Sequence, residues 1–347
     1  MDYLSEKAKR LTPYVAGIQP QEADWIKLNT NENPYPPSPG VRDAIINANT
    51  DALRLYPDSE SIELCEAIAE SFEIQTENVF CGNGSDEVLA LAFEAFFCEK
   101  KAVLTPDISY AFYPVWSNLY DVQTTILPLD DSYSINPEDY RNGNGVIIAN
   151  PNAPTGIALD PSKIEDIVQN NQHGVVIIDE AYIDFSKIKS AVSLTSKYEN
   201  LLVVRTFSKS YSLAGLRVGF AVGNKALIEG LQRVKDSFNS YPLGMLEQAA
   251  AKAAIIDFGY WNAQINRIIA TRNKVTEELR KLGCDILDSH ANFLFIKVGD
   301  AKNLYEHLLK NRILIRYWDK PRINEFLRVT IGTDEEMEAF IQCVKQF

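Results

Sequence analysis

The sequence predicts an α/β protein in two parts. A large unit carries a mostly parallel mixed sheet covered by helices, and a smaller α+β unit follows at the C-terminus. Three observations lead there. The chain has 347 residues, enough for two domains at roughly 150 residues each. Between residues 59 and 223, short apolar runs alternate with helix-periodic stretches, the pattern of strands covered on both faces by helices. Near residue 240 the texture changes to long helices, followed by strand, helix, strand, strand and helix. The expected division is an N-terminal arm over 1–40, a large domain over 41–245 and a small domain over 246–347.

The arm reads as irregular. Its PYPPSPG stretch, residues 34–40, is proline-rich and is expected to run extended over the surface. The arm could pack on either unit or on a second chain. Ile62, Cys65, Ile68, Ala69 and Phe72 then recur at helical spacing. The apolar runs that follow are VFCG (79–82), KAVLTP (101–106), GVIIANP (145–151), GVVIIDEAY (174–182), NLLVVRTFSK (200–209) and LRVGFAVG (216–223). Residues 246–257 are alanine-rich and helical. A long helix follows, with Trp261, Ile265, Ile268, Val275, Leu279 and Leu282 on one face and Gly283 as its stop. FLFIKV (293–298), a helix around Leu304 and Leu308, ILIRYW (313–318), FLRVTIG (326–332) and a last helix complete the chain.

Composition narrows the partners. Lys and Arg number 34 against 47 for Asp and Glu, a formal charge of −13. That balance argues against nucleic acid or an anionic membrane, since both require a basic face. A small anionic substrate held by a few inward arginines stays open. Residues 88–97 are too short to span a bilayer and include Glu94. The N-terminal MDYLSEKAKRLTPY lacks the apolar core of a signal peptide. Cys65, Cys81, Cys98, Cys284 and Cys343 are scattered and odd in number, a poor disulfide framework, so a reducing, cytoplasmic setting is expected. His173, His290 and His307 lack ligand spacing, and no metal site is expected.

Four strand ends carry chemistry, and ligands of parallel α/β sheets gather at such ends. TFSKSYSLAGLRVG (206–219) puts Ser208 and Lys209 after an apolar strand, with Arg217 eight residues on. Lys209 is there either a reactive buried amine or a surface lysine. VVIIDEAYIDF (175–185) ends a strand at Asp179, with Tyr182 three residues later. A carboxylate so placed needs a partner, in a ligand, an arginine or a helix cap. NPNAPTG (150–156) is a strand end followed by a proline–glycine turn, and FCGNGSDEVL (80–89) is a strand, a glycine turn and a helix start. The free N–H groups of that start would bind a phosphate. One ligand satisfies all four. Its phosphate would sit on the helix start at Gly84, Ser85 and Asp86 with Thr206, Ser208 and Arg217. Its basic ring nitrogen would meet Asp179, and its carbonyl would be captured by Lys209 as a Schiff base. Pyridoxal 5'-phosphate has all three groups.

In this order, the motifs resemble the fold-type I pyridoxal-phosphate enzymes, and within them the histidinol-phosphate aminotransferases. The resemblance runs from LTPY (11–14) and LNTNENP (28–34) through LYPD (55–58), GNGSDE (82–87), SYAFY (109–113), NPNAPTG, DEAYIDF and TFSKSYSLAGLRVG to ILIRYW and FLRVTIG. It implies that Lys209 forms the Schiff base and then serves as base in the proton shift. Asp179 would keep the ring nitrogen protonated so that the ring accepts electrons. Tyr182 would hydrogen-bond the phenolic oxygen, and Tyr110 would stack on the ring. Ser85, Thr206, Ser208 and Arg217 would hold the phosphate. Tyr56 would reach it from the partner subunit of a homodimer with composite sites. Arg328 and Arg316 would bind the acidic end of the substrate, with Tyr14 and Asn29 closing the pocket. The two arginines could instead form structural ion pairs, and Tyr56 could be a packed loop aromatic.

One position departs from the commoner pattern. Many relatives have Asn immediately before Pro-Thr-Gly, on the phenolic oxygen; here Ala153 stands there and Asn152 one residue earlier. Either Asn152 makes the contact or Tyr182 makes it alone, and Asn152 is the expectation. The implied reaction is transamination between histidinol phosphate and 2-oxoglutarate, giving imidazole acetol phosphate and glutamate in histidine biosynthesis. An aromatic amino acid aminotransferase and a threonine-phosphate decarboxylase are alternatives with nearly the same motifs. A silent cofactor-binding regulator is a third, disfavoured by the presence of Lys209.

Overall fold

A computed structural model describes residues 3–15, 17–20, 22, 24–97, 102–141 and 145–347; Cys98 lies outside them. The arm holds helix α1 (Glu6–Arg10) and strand β1 (Ile26–Lys27). Strands β2 (Val79–Gly82), β3 (Val103–Pro106), β4 (Thr124–Leu127), β5 (Val146–Ala149), β6 (Val176–Asp179), β7 (Leu201–Thr206) and β8 (Gly219–Gly223) form one sheet in the order β2-β8-β7-β6-β5-β3-β4. Only β8 runs against its neighbours among the described strands.

The apolar runs are continuous because this sheet is buried on both faces. Side chains alternate across a strand. Ile147, Ile177 and Leu202 therefore pack in one cluster, while Ile148, Ile178 and Val203 pack in the other. Helices α2 (Pro39–Ala48) and α3 (Ile62–Phe72) belong to the second face, and α4 (Gly84–Phe97), which follows β2, to the first. β4 has no apolar run because it is an edge strand with Thr125 and Ile126 exposed.

α5 (Tyr113–Leu119), α6 (Pro161–Gln169) and α7 (Lys225–Phe238) complete the large sheet's cover. α8 (Met245–Ile256) buries Ala250, Ala251, Ala254 and Ile255 with Val41, Leu64 and Ile68. The alanine-rich helix thus packs on the large sheet's helical layer, although the sequence reading begins the small domain at residue 246. α9 (Phe258–Lys281) ends before Gly283, whose φ of +87° is left-handed.

Strands β9 (Asp285–Ile286) and β10 (Phe293–Lys297), helix α10 (Ala301–Lys310), strands β11 (Ile313–Leu314), β12 (Arg316–Tyr317) and β13 (Phe326–Thr330), and helix α11 (Asp334–Lys345) follow. A four-stranded sheet has the order β12-β13-β10-β9. The single run ILIRYW is split between sheets. Ile313 and Leu314 pair with β1 of the arm, whereas Arg316 and Tyr317 pair with β13. The arm therefore lies on this C-terminal unit, with Leu28 and Tyr35 inside its core. PYPPSPG is less superficial than its composition suggests. Tyr35 and Ser38 are buried, and Pro39 and Gly40 open α2, a position where proline's missing donor costs nothing. Among the described residues, no helix is long and apolar enough to cross a membrane.

Candidate active site

Asp179 ends β6, flanked in register by Ala149 at the end of β5 and Val204 of β7. Lys209 follows the end of β7 by three residues. The residues after β1 and the arginines of β12 and β13 face this edge. Together they enclose a cavity of about 340 Å³. Lys209, Asp179, Tyr182, Tyr110, Ser85, Asp86, Thr206, Ser208, Arg217, Arg316, Arg328, Tyr14 and Asn29 all line it.

One end of the cavity is built for an anion. Gly84 opens α4 at φ +78°, and a Cβ there would lie 2.6 Å from Arg217 Nη2. Gly219 is pressed against the same turn, where a Cβ would lie 2.2 Å from the backbone nitrogen of Ser85. Gly84 itself does not line the cavity; it backs the arginine. Arg217 Nη2 is 2.8 Å from Asp86 Oδ2 and its Nη1 is 3.4 Å from Ser208 Oγ. Tyr110 donates to the other Asp86 oxygen at 2.8 Å. Asp86 thereby orients both Arg217 and Tyr110. The Ser208 N–H donates to Thr206 Oγ1 at 3.1 Å, and both side chains are buried.

Asp179 is 5% exposed. It accepts from the Tyr113 hydroxyl at 3.0 Å and from the Ala181 N–H at 3.3 Å, and no described cation pairs with it. Burial raises its pKa to about 6, against the lowering effect of the Tyr113 bond. Burial also raises the Tyr113 and Tyr110 phenols well above their ordinary range, so both are donors. A buried carboxylate held only by neutral donors is complementary to a cationic ligand group.

Lys209 Nζ lies 3.3 Å from the Thr30 carbonyl and 5.8 Å from the Tyr182 ring centre. Asn33 donates to the Lys209 carbonyl at 3.0 Å, and Asn31 donates to the Tyr182 hydroxyl at 3.0 Å. Sequence reasoning singled out only Asn29 of LNTNENP. The alternating asparagines were the available signal for the others. Tyr113, last residue of SYAFY, was missed because nothing in the sequence says which tyrosine of that motif turns inward.

Arg316 and Arg328 are direct cross-strand partners. Like charges so placed repel, yet no described carboxylate pairs with either. The Trp318 ring lies 5.4 Å from one guanidinium and 5.2 Å from the other. Burial lowers the Arg328 pKa, and the neighbouring Arg316 charge adds to the lowering. Arg328 donates to the Asn29 carbonyl at 2.8 Å, while its buried Nε has no partner among the described residues. The Asn29 side chain is tied to the Ile18 carbonyl at 2.9 Å. Tyr14 stacks on Phe112 with ring centres 4.3 Å apart.

Asn152 does not enter the cavity. Its amide donates to the Ile108 carbonyl at 2.9 Å and to Thr155 Oγ1 at 3.0 Å, and its oxygen accepts from Ser109 at 2.9 Å. These bonds fix the NPNAPTG turn and leave the cavity wall to Ala153. Tyr56 is absent from its own chain's cavity. It is 80% exposed and stacks on Tyr241.

Residues 23–344 match the sequence profile of the family described as aminotransferase class I and II. The chain belongs to that family. This aminotransferase is 51% identical over 346 residues to the histidinol-phosphate aminotransferase of Brachyspira hyodysenteriae, covering 99% of this chain and 98% of the relative. It superposes on the crystal structure of the histidinol-phosphate aminotransferase from Clostridium acetobutylicum with a TM-score of 0.85 at 25% identity, over 92% of this chain and 98% of that one. With the Sinorhizobium meliloti histidinol-phosphate aminotransferase, solved in complex with pyridoxal-5'-phosphate, the TM-score is 0.88 at 22% identity, over 100% and 98% of the two chains. The aminotransferase thus has the fold-type I architecture.

Proposed function

We propose that this aminotransferase uses pyridoxal 5'-phosphate to transfer an amino group from histidinol phosphate to 2-oxoglutarate, giving imidazole acetol phosphate and glutamate for histidine biosynthesis. The observation that carries it is one cavity holding an amine, a buried carboxylate without a cation, and an anion cradle. Those three groups fit the cofactor's aldehyde, ring nitrogen and phosphate. The half-identity to a full-length relative of that activity supports the substrate.

When bound, the cofactor supplies an aldehyde that condenses with amines and a protonated ring that accepts electrons from the broken Cα–H bond. The protein's residues do the rest. Ser85, Thr206, Ser208 and Arg217 hold the phosphate, with Arg217 aimed by Asp86. Asp179 keeps a proton on the ring nitrogen, and its burial strengthens that charge–charge contact. Tyr182 hydrogen-bonds the phenolic oxygen, and Tyr110 covers the ring face. Lys209 Nζ would hold the aldehyde end of the cofactor and would move the substrate's Cα proton. Arg328 and Arg316 hold the substrate's anionic end; a guanidinium fork suits both carboxylate and phosphate, which lets one site take two unlike substrates. Tyr14 and Asn29 close the pocket.

The active unit in this reading is a homodimer. Leu53, Leu55, Tyr56, Phe238 and Tyr241 are exposed, and a second copy covering them would bring Tyr56 to the partner's phosphate cradle. The setting is cytoplasmic. The chain divides into the arm, the large domain and the small domain, with α8's packing favouring a boundary after residue 256 over one at 246.

The test is a steady-state comparison of histidinol phosphate, phenylalanine and threonine phosphate, with and without 2-oxoglutarate. Turnover of histidinol phosphate that requires 2-oxoglutarate and exceeds the others in kcat/KM is expected. Equal or better use of phenylalanine would make the protein an aromatic aminotransferase. Carbon dioxide release from threonine phosphate without an acceptor would make it a lyase.

A further inference from the structure

We propose that Asn31 is the positioning residue for Tyr182, at a site where Ala153 offers no side-chain donor. The proposal rests on the cofactor reading above. A phenol has one proton and two lone pairs. Asn31 Nδ2 donates to the Tyr182 oxygen at 3.0 Å and so occupies a lone pair. Tyr182's own proton is then left for an acceptor in the cavity, which Tyr182 lines.

The orientation of the Asn31 amide is fixed from behind. Thr330 Oγ1 donates to Asn31 Oδ1 at 3.1 Å and accepts the Asn31 N–H at 3.0 Å. Asn292 donates to the Asn31 carbonyl at 3.0 Å. With its oxygen committed to Thr330, the amide presents only N–H to Tyr182. Asn31 is 1% exposed and sits at φ 55°, a left-handed conformation that asparagine tolerates better than most side chains. A β-branched or larger residue would lose both the backbone conformation and the bond.

No other described residue can do this at the 153 turn. Ala153 has no polar side-chain atom, and every hydrogen bond of the Asn152 amide stays within the turn and its neighbours. One donor, Tyr182, therefore serves the cofactor's phenolic oxygen, and Asn31 fixes its aim. That donor matters most when the oxygen carries unneutralised negative charge, the form favoured at higher pH. Removing or misaiming it raises the pH at which the bound cofactor's visible absorption changes.

The experiment titrates that absorption against pH in the cofactor-loaded protein and measures cofactor affinity in parallel. Tyr182→Phe is the control, expected to move the midpoint upward. Asn31→Ala is expected to move it upward by less than Tyr182→Phe does, at most about one pH unit, since the loss of one hydrogen bond to a charged oxygen is the ceiling. Ala153→Asn in the Asn31→Ala background is expected to bring it back. Thr330→Val keeps the shape and releases only the anchor of Asn31, so it serves if Asn31→Ala fails to fold; a smaller upward shift is expected. A midpoint that moves in Tyr182→Phe but stays at the parent value in both Asn31→Ala and Thr330→Val overturns the proposal. So does an Asn31→Ala shift that Ala153→Asn leaves in place. If the parent protein forms no pH-dependent visible band, the cofactor reading itself fails.

Discussion

Asp179→Asn is expected to make the cofactor-free protein more stable at neutral pH while destroying its activity. Asp179 is 5% exposed and makes no ion-pair contact among the described residues, so burial lifts its pKa from the usual 3.8 to about 6, against the lowering effects of the Tyr113 bond and the nearby Lys209 charge. Each pH unit of such a change corresponds to about 1.4 kcal/mol, which puts the cost of holding the ionised carboxylate at about 3 kcal/mol. The sign follows from proton binding. Between pH 3.8 and 6 the folded chain keeps a proton here that the unfolded chain has released. Stability from this group therefore falls as pH rises through that window and is lowest above it. Asparagine removes the charge and keeps the shape, but it loses one acceptor from the Tyr113 and Ala181 donors, worth about 1 kcal/mol. The net expectation is a gain of about 2 kcal/mol at pH 8 that vanishes near pH 4. Urea unfolding of parent and variant across that range measures it. Glu180, also buried and raised to about 7, slopes the same way in both proteins and cancels in the difference. A variant no more stable than its parent at pH 8, or a difference that ignores pH, would refute the claim that this carboxylate awaits a cation. In the loaded enzyme the same substitution would remove the proposed partner of the ring nitrogen, and turnover should fall by several orders of magnitude.

Two further outcomes can be checked. Lys209→Ala and Tyr56→Ala homodimers should each be impaired, the first to background. A mixture that exchanges subunits should regain activity, because one site of each hybrid pairs an intact Lys209 with an intact Tyr56; failure to regain any would speak against a composite site. Gly219→Ala places a methyl group 2.2 Å from the Ser85 nitrogen and 2.4 Å from the Gly84 carbonyl carbon. Overpacking of this kind costs about 1–3 kcal/mol, so fluorescence titration should show cofactor affinity reduced by about tenfold or more. Unchanged affinity would mean that β8 and the phosphate turn can separate freely.

All the strands of the large sheet but β4, and its chemical edge, are legible in the residues alone. Its strands are buried on both faces, so the apolar runs mark them directly, and Asp179, Lys209 and Arg217 are polar residues at or just beyond the ends of those runs. The edge strand β4 escaped notice for the same reason, since a half-exposed strand leaves no such run. What crosses between units is set by long-range pairing instead. The split of ILIRYW across two sheets sets Arg316 opposite Arg328, and nothing in a six-residue apolar run records where its pairing changes. The role of Asn31 depends on Thr330 and Asn292, each more than 250 residues away in sequence. Asn152 stands one residue before Ala153, which lines the cavity, yet its amide turns away to Ile108, Ser109 and Thr155. Hydrogen-bond partners are chosen by distance and direction in the folded chain, and neighbouring places in a sequence fix neither.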